Sequence, residues 1–367
     1  MDLTFLQPLY ETTTPVASLY INTSRDAEDA DHAIRVRWDQ ARNELHEQGV
    51  DEPTLEAMDE VVGATEGVPG PHGQVVYAAG GKVVLDSTVS VPPQDHFATA
   101  GTLPDPLPAL AAEGRHVPYV LAVVDSIGAD LTAEYADGRT VTRRVEGEDH
   151  PVHKPRGGAY HHNQMQRAAD EQVGHNLDQV VETLSTLVDR SNAEVVAVAG
   201  EIAVRGNLVE KLPDRARDLA VELEAGSRAA GSEESPLEDE LDQYLERQAD
   251  EDVRAAVESF ESGTADGSSA EGLDSVVHAL QRGQVGTLLW SDELPGADRK
   301  LWIGPSGEQI SLNAQELRDM GVSDPIEVAA GPALVRALAS TGAELVLVPE
   351  QKFDPDEGIA AALRFAS

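Results

Sequence analysis

Val173, Leu177, Val180, Leu184 and Leu187 step along the chain by 4, 3, 4 and 3 residues. That spacing puts them on one face of an α-helix, so a long amphipathic helix must lie there against a core. The run that follows, residues 195–198, is wholly apolar and is closed by Gly200, as expected for a buried strand. Upstream, residues 119–124 read as a strand. Residues 131–135 and 140–145 read as a hairpin around Asp137-Gly138, because that dipeptide accepts the positive φ angles of a tight turn. Strands followed by alternating helix and strand predict a mixed sheet covered by helices.

The same reading extends in both directions. Residues 16–22 form a predicted strand. Ile34, Trp38, Ala41 and Leu45 mark a helix over 29–48, and a second helix is expected over 53–62. Residues 74–79 and 82–89 read as a hairpin around Gly80-Gly81, and the proline-rich stretch 102–108 as an exit linker. Asn207 is a plausible N-cap for a helix running to about residue 224. Between 233 and 252 there are ten acids and one Arg, with Leu237, Leu241, Tyr244 and Leu245 at helical spacing. This predicts a solvated helix joining two domains, or else a contact with a basic protein. Residues 263–269 read as a flexible loop. Helices over 273–280, 332–339 and 358–365 then alternate with strands over 285–290, 301–304 and 345–348. The expected fold class is α/β, with three α/β domains: 1–112, 113–228 with a mixed sheet, and 229–367, an α/β/α domain preceded by the acidic helix.

Composition excludes several functions. The 367 residues carry 66 acids and 27 bases, only five of them Lys, for a net charge of −39. Phosphate repels such a chain, so indiscriminate nucleic-acid binding is disfavoured and DNA is not an expected partner. There is no cysteine, which removes disulfides and thiolate zinc sites. Asp2 and Glu11 interrupt the N-terminus, which lacks the cationic and apolar regions of a secretion signal. No run approaches the ~20 apolar residues of a membrane span. A cytoplasmic protein without cofactor is the expectation, and no phosphate-binding Gly-x4-Gly-Lys loop is present.

One segment runs against the acidic background. From Arg139 to Arg167 there are six Arg or Lys, three acids, and four of the eleven histidines: His150, His153, His161 and His162. Gly157-Gly158 lies at its centre, directly before the long helix. Glycines let backbone approach another surface closely, cations suit a phosphate-lined cavity, and aromatic rings stack on bases. His153, Lys154, Arg156, Gly157, Gly158, Ala159, Tyr160, His161, His162 and Arg167 are therefore candidate RNA-binding residues. An ordinary surface loop balancing an acidic body is the competing reading. Arg143 and Arg144 on the preceding hairpin are further candidates. So are Arg35 and Arg42, seven apart on one helix face, although such arginines also occur on plain solvated faces. The histidines lack carboxylate partners at matching spacing, and Asp125 at a strand end lacks a second acid, so no metal site is expected.

The sequence Lys154-Pro-Arg-Gly-Gly-Ala-Tyr-His-His162, ahead of a long helix and the strand Glu194-Val-Val-Ala-Val-Ala-Gly200, resembles the archaeal and eukaryotic class-one peptide-release-factor family. Pro151-Val-His-Lys-Pro155 narrows the resemblance to its bacterial branch in actinobacteria, which includes the ribosome-hibernation factor Balon. The resemblance implies a three-domain factor for the A site of the 70S ribosome, with rRNA contacts from the Gly-Gly loop and elongation factor Tu as a partner. Release factors carry Gly-Gly-Gln and use the Gln to position the hydrolytic water, whereas this chain has Ala159. Nor is there an Asn-Ile-Lys-Ser motif for stop codons. The resemblance thus implies occupancy of idle ribosomes, with no catalytic residue. An alternative is a peptidyl-tRNA hydrolase in which His161, His162 or backbone N–H groups hold the water. A third is a stress-associated scaffold acting through the acidic segment.

Overall fold

The computed structural model describes every residue except 13, 28, 66–67, 69, 115, 148–158, 227–234 and 366–367; at 159–172 and 235 it describes the backbone alone. The chain divides into two compact units. One combines Met1–His116 with Asp250–Ser367, and the other is Val117–Ala249.

In the first unit, a 3-10 turn (Thr4–Tyr10) leads to β1 (Val16–Asn22), α1 (Ala30–Glu47), α2 (Glu52–Asp59), β2 (Gly73–Ala79), β3 (Lys82–Val89), β4 (Phe97–Gly101) and α3 (Leu107–Glu113). The sheet order is β3-β2-β1-β4, antiparallel throughout. β1 is buried on both faces, as alternation along a strand allows. Ala17, Leu19 and Ile21 pack with Trp38, Ala41 and Leu45 of α1 and with Leu55 and Met58 of α2. Val16 and Tyr20 belong to a different cluster, shared with the last hundred residues of the chain. Residues 97–101, unassigned in the sequence reading, form β4 because β1 needs a partner on its free edge. The stretch 102–108 is a linker only up to Leu107, where α3 begins.

The middle unit contains β5 (Tyr119–Val124), β6 (Gly128–Glu134), β7 (Thr140–Glu146), α4 (Ala159–Ser191), β8 (Val195–Gly200), α5 (Ile202–Lys211), α6 (Asp214–Asp218) and β9 (Ala220–Glu222). Its five strands run β7-β6-β5-β8-β9, with β5, β8 and β9 parallel and the β5-β6-β7 meander antiparallel. The mixed sheet is as expected. Leu177, Val180, Leu184 and Leu187 of α4 are buried against Val120, Ala122 and Val124 of β5 and Leu131 of β6. The helix expected from Asn207 to 224 is absent. Asn207 lies inside α5, which ends at Lys211 because Pro213 cannot continue it and forces Leu212 to ψ 143°. Residues 220–222 extend the sheet instead.

α7 (Ser235–Asp266) carries the acidic run. Leu237, Leu241 and Leu245 cover the second face of the middle sheet, against Leu121, Val123, Ala197 and Ala199. Val253 and Phe260 belong to the core of the first unit, with Leu289, Val346 and Ala360. This burial carries the helix through residues 263–266, which the sequence alone marks as loop.

The rest of the first unit comprises β10 (Ser269–Glu271), α8 (Gly272–Gln281), β11 (Val285–Ser291), β12 (Lys300–Ile303), β13 (Ile310–Ser311), α9 (Ala314–Asp319), β14 (Ile326–Ala329), α10 (Ala330–Thr341), β15 (Glu344–Val348) and β16 (Ile359–Leu363). One sheet has the order β10-β16-β11-β15 and a smaller one β13-β12-β14. The closing helix expected over 358–365 is in fact β16, paired antiparallel to both β10 and β11. Ala360-Ala-Ala362 favours helix by propensity. A central strand position, with Ala360 and Ala361 fully buried, overrides that preference. Met1, Leu3, Leu6 and Leu9 are buried in the core shared with α10. Gln7 Nε2 donates to Ala339 O at 2.8 Å, and Leu345 N donates to Met1 O at 3.0 Å.

Candidate functional site

In sequence, the Gly-Gly segment lies between the end of β7 and the head of α4. The end of β7 is tightly built. Asp125 Oδ1 accepts from the N–H groups of Ile127 (2.8 Å) and Gly128 (2.9 Å), turning the chain from β5 into β6. A Cβ on Gly128 would stand 1.9 Å from Val145 O, so only glycine lets β7 lie this close. Gly147 N donates to Ile127 O at 2.9 Å. Asn176 of α4 is 3% exposed and donates from Nδ2 to Ser126 O at 3.1 Å. Asp125, read from the sequence only as a lone acid, is thus a turn-forming residue.

α4 runs for 33 residues from Ala159. At 1.5 Å per residue, its first residue stands about 25 Å along the axis from Asn176. Ala159, Tyr160, His161, His162 and Arg167 occupy the first turns of α4, so the start of the helix directly after Gly158 agrees with the reading of the sequence. His153, Lys154, Arg156, Gly157 and Gly158 lie outside the described residues, as does His150. A helix N-terminus presents unpaired backbone N–H groups and a partial positive charge, both of which favour anions. Chemically, the backbone of α4 offers an anion-attracting N-terminus, and the residues just before it in sequence are cations and glycines.

The other candidates fall elsewhere. Arg143 and Arg144 lie on β7, which ends where Gly147 meets Asn176. Arg144 pairs with Asp130 (3.5 Å) and Glu146 (2.7 Å), and the Arg143 guanidinium bonds to Thr142 O. Their strand therefore ends beside Asn176, about 25 Å along the axis of α4 from its first residue. In the first unit Arg35 is exposed on α1. Arg42 bonds Glu52 and Asp59, and Asp59 also accepts from Trp38 Nε1 at 2.8 Å. Those carboxylates hold the guanidinium more firmly protonated than usual, the bond to Glu52 contributing most.

Two residues escaped the sequence reading. Asn176 sits three residues after Val173 on the apolar stripe, and a polar residue at a buried stripe position is the signal that marks it. Glu240 lies in the acidic run, yet its carboxylate accepts from Glu224 N (2.9 Å) and Ala225 N (2.8 Å). These two backbone bonds hold its carboxyl below the usual carboxylate range. Among the described residues, no group of three or more His, Asp or Glu is placed to hold a metal ion, and no helix is long and apolar enough to cross a membrane.

Residues 118–266 match the model of Bacterial archaeo-eukaryotic release factor family 2, so this stretch is similar to the release-factor-like proteins that the model describes. Over 358 residues it is 27% identical to Rv2629 of Mycobacterium tuberculosis strain H37Rv, covering 96% of this chain and 94% of the relative. MT2704 of strain CDC 1551 matches to the same extent. Among solved structures, the archaeal translation termination factor aRF1 is 16% identical, covering 98% of this chain and 96% of its own, at a TM-score of 0.27. A model of ribosome-bound archaeal Pelota and ABCE1 aligns at 17% identity, 99% and 94% coverage, and a TM-score of 0.40. Scores this low transfer no arrangement of parts.

Proposed function

We propose that this protein binds the 70S ribosome and occupies the A site of idle ribosomes, blocking tRNA binding without hydrolysing peptidyl-tRNA. The observation that carries this reading is the cationic Gly157-Gly158-Ala159 segment at the head of α4, within a stretch that matches a release-factor family but ends in Ala where release factors carry Gln. An alanine methyl offers no hydrogen bond to a water, so the residue that organises hydrolysis in release factors has no counterpart at that position. The cations around it still suit rRNA phosphates.

In this reading the N-terminal segment, residues 1–112, lies toward the decoding centre. The middle segment, 113–228, directs Arg156 to His162 toward the peptidyl-transferase centre, with His153, Lys154 and Arg167 as further rRNA contacts. The C-terminal segment, 229–367, meets elongation factor Tu or ribosomal protein. Arg35, Arg143 and Arg144 supply peripheral phosphate contacts. The site of action is the cytoplasm.

The test is sedimentation with vacant 70S ribosomes at moderate salt, beside a variant with Gly157→Glu and Gly158→Glu. Retention of the wild type, its displacement by A-site tRNA and loss in the variant are expected. Failure of the wild type to co-sediment, with or without elongation factor Tu, overturns the proposal. Peptide release from peptidyl-tRNA would overturn its non-catalytic part.

A further inference from the structure

Within the unit built from residues 1–116 and 250–367 lies a cleft of about 300 Å³, bounded by the end of the N-terminal 3-10 turn, the 102–104 linker and the β12 and β14 strands. Its wall includes Tyr10 and Arg336, the latter projecting from α10. Arg336 is only 6% exposed. Its Nη2 donates to Pro305 O at 2.5 Å, while Nη1 is buried with no hydrogen-bond partner among the described residues. The hydroxyl of Tyr10 is also buried without a partner among the described residues. No ion pair to Arg336 exists among the described residues, so a guanidinium sits in the wall of a cleft with no counter-charge on it. Burial opposes its charged form, and burial likewise pushes the Tyr10 hydroxyl above its ordinary range, so Tyr10 is a neutral donor.

A buried cation without a counter-charge is costly, and breaking or omitting one partner of such a pair leaves that cost unrelieved. Two orphaned donors in one wall call for a shared acceptor, and the best acceptor for a guanidinium is an oxyanion. The rest of the lining decides which kind. Leu9, Leu103, Ile303 and Ile326 are apolar, and the acids of the cleft, Glu11 and Asp324, are both exposed at its margin. Two carboxylates at the rim repel a dianion more than a monoanion, and apolar walls favour a ligand with a hydrocarbon body. We propose that this cleft binds a small monocarboxylate with an apolar body, whose carboxylate accepts from Arg336 Nη1 and the Tyr10 hydroxyl. The proposal is independent of the ribosome reading.

The test uses the full-length protein and benzoate as probe, with benzamide and inorganic phosphate as comparisons. Calorimetric titration and the thermal midpoint are the readouts. Benzoate should bind and raise the midpoint with concentration, as any ligand of the folded state does. Benzamide and phosphate should bind at least tenfold more weakly. Arg336→Met removes the uncompensated charge and keeps the volume, so its midpoint should equal or exceed that of the wild type while its response to benzoate disappears. Tyr10→Phe keeps the fold and should weaken benzoate about five- to tenfold, the loss of one hydrogen bond. The proposal is overturned if benzoate does not bind at millimolar concentration, if benzamide or phosphate matches it, or if the Met variant retains the response. Should that variant not fold, Tyr10→Phe and the benzoate–benzamide comparison on the wild type still decide.

Discussion

Gly147 lies so close to the carboxamide of Asn176 that a Cβ there would stand 2.1 Å from Asn176 Oδ1. Asn176 is itself held to the carbonyl of Ser126. The end of β7, the turn after β5 and the face of α4 therefore meet at one point, just ahead of the Gly-Gly segment in sequence. This contact ties the end of β7 to α4 and to the β5–β6 turn.

Gly147→Ala should cost roughly 1–3 kcal/mol, the usual range for overpacking a tight contact. Urea denaturation measures it. An unchanged midpoint would mean that Asn176 moves aside freely and that the contact is not rigid.

Ala361 is fully buried in β16 between β10 and β11. Ala361→Leu should destabilise by roughly 1–3 kcal/mol or more. The same change in an exposed helix would be neutral or mildly favourable, since Leu is a good helix former. Thermal unfolding of this variant thus tests the strand assignment directly.

Arg35 and Arg42 share a helix face but not a role. Arg42→Ala strands Glu52 and Asp59 and should lower stability by up to ~1 kcal/mol, because the pair is partly exposed and screened. Arg35→Ala should leave stability unchanged and weaken ribosome retention. Chemical denaturation and co-sedimentation of both variants separate these effects, and equal stability losses would contradict the distinction.

The Glu240 carboxyl titrates below its usual range because two backbone N–H groups bond its charged form. A depressed carboxylate contributes stability that is present above its unfolded value, 4.5, and is lost as pH falls through the folded value. Glu240→Gln should therefore be less stable than wild type at neutral pH, with the gap narrowing on acidification. The comparison belongs at high salt, where the relief of general acidic repulsion is screened. A gap independent of pH would show that the bonds do not depend on the charge.

If Lys154 and Arg156 neutralise rRNA phosphates, replacing both with Gln should weaken ribosome retention and reduce the salt slope of binding by about 2, one for each phosphate left without its cation. A weakened complex with an unchanged slope would assign these residues a conformational role instead.

Local periodicity sufficed for much of this protein. The stripe on α4, the β2–β3 hairpin around Gly80-Gly81, the β6–β7 hairpin around Asp137-Gly138 and the core face of α1 were all legible, because each is specified by residues close together in the chain. The charge, glycine and histidine content of the Gly-Gly segment is read from the sequence alone, and its placement lies outside the described residues. Tertiary structure decided what depends on distant partners. Ala360–Ala362 became strand because β10 and β11 leave a gap that small side chains fill, against their own helical preference. Residues 97–101 became β4 because β1 had an unpaired edge. Leu3, Leu6 and Leu9 joined the core of α10, and Tyr10 came to share a cleft with Arg336, more than three hundred residues away in sequence. Asn176, one polar residue on an apolar stripe, gained its meaning only when Gly147 and Ser126 were folded against it. Hydrogen-bond partners and shared cores are set by the whole fold's demand for paired backbone and excluded water, which no local window of sequence contains.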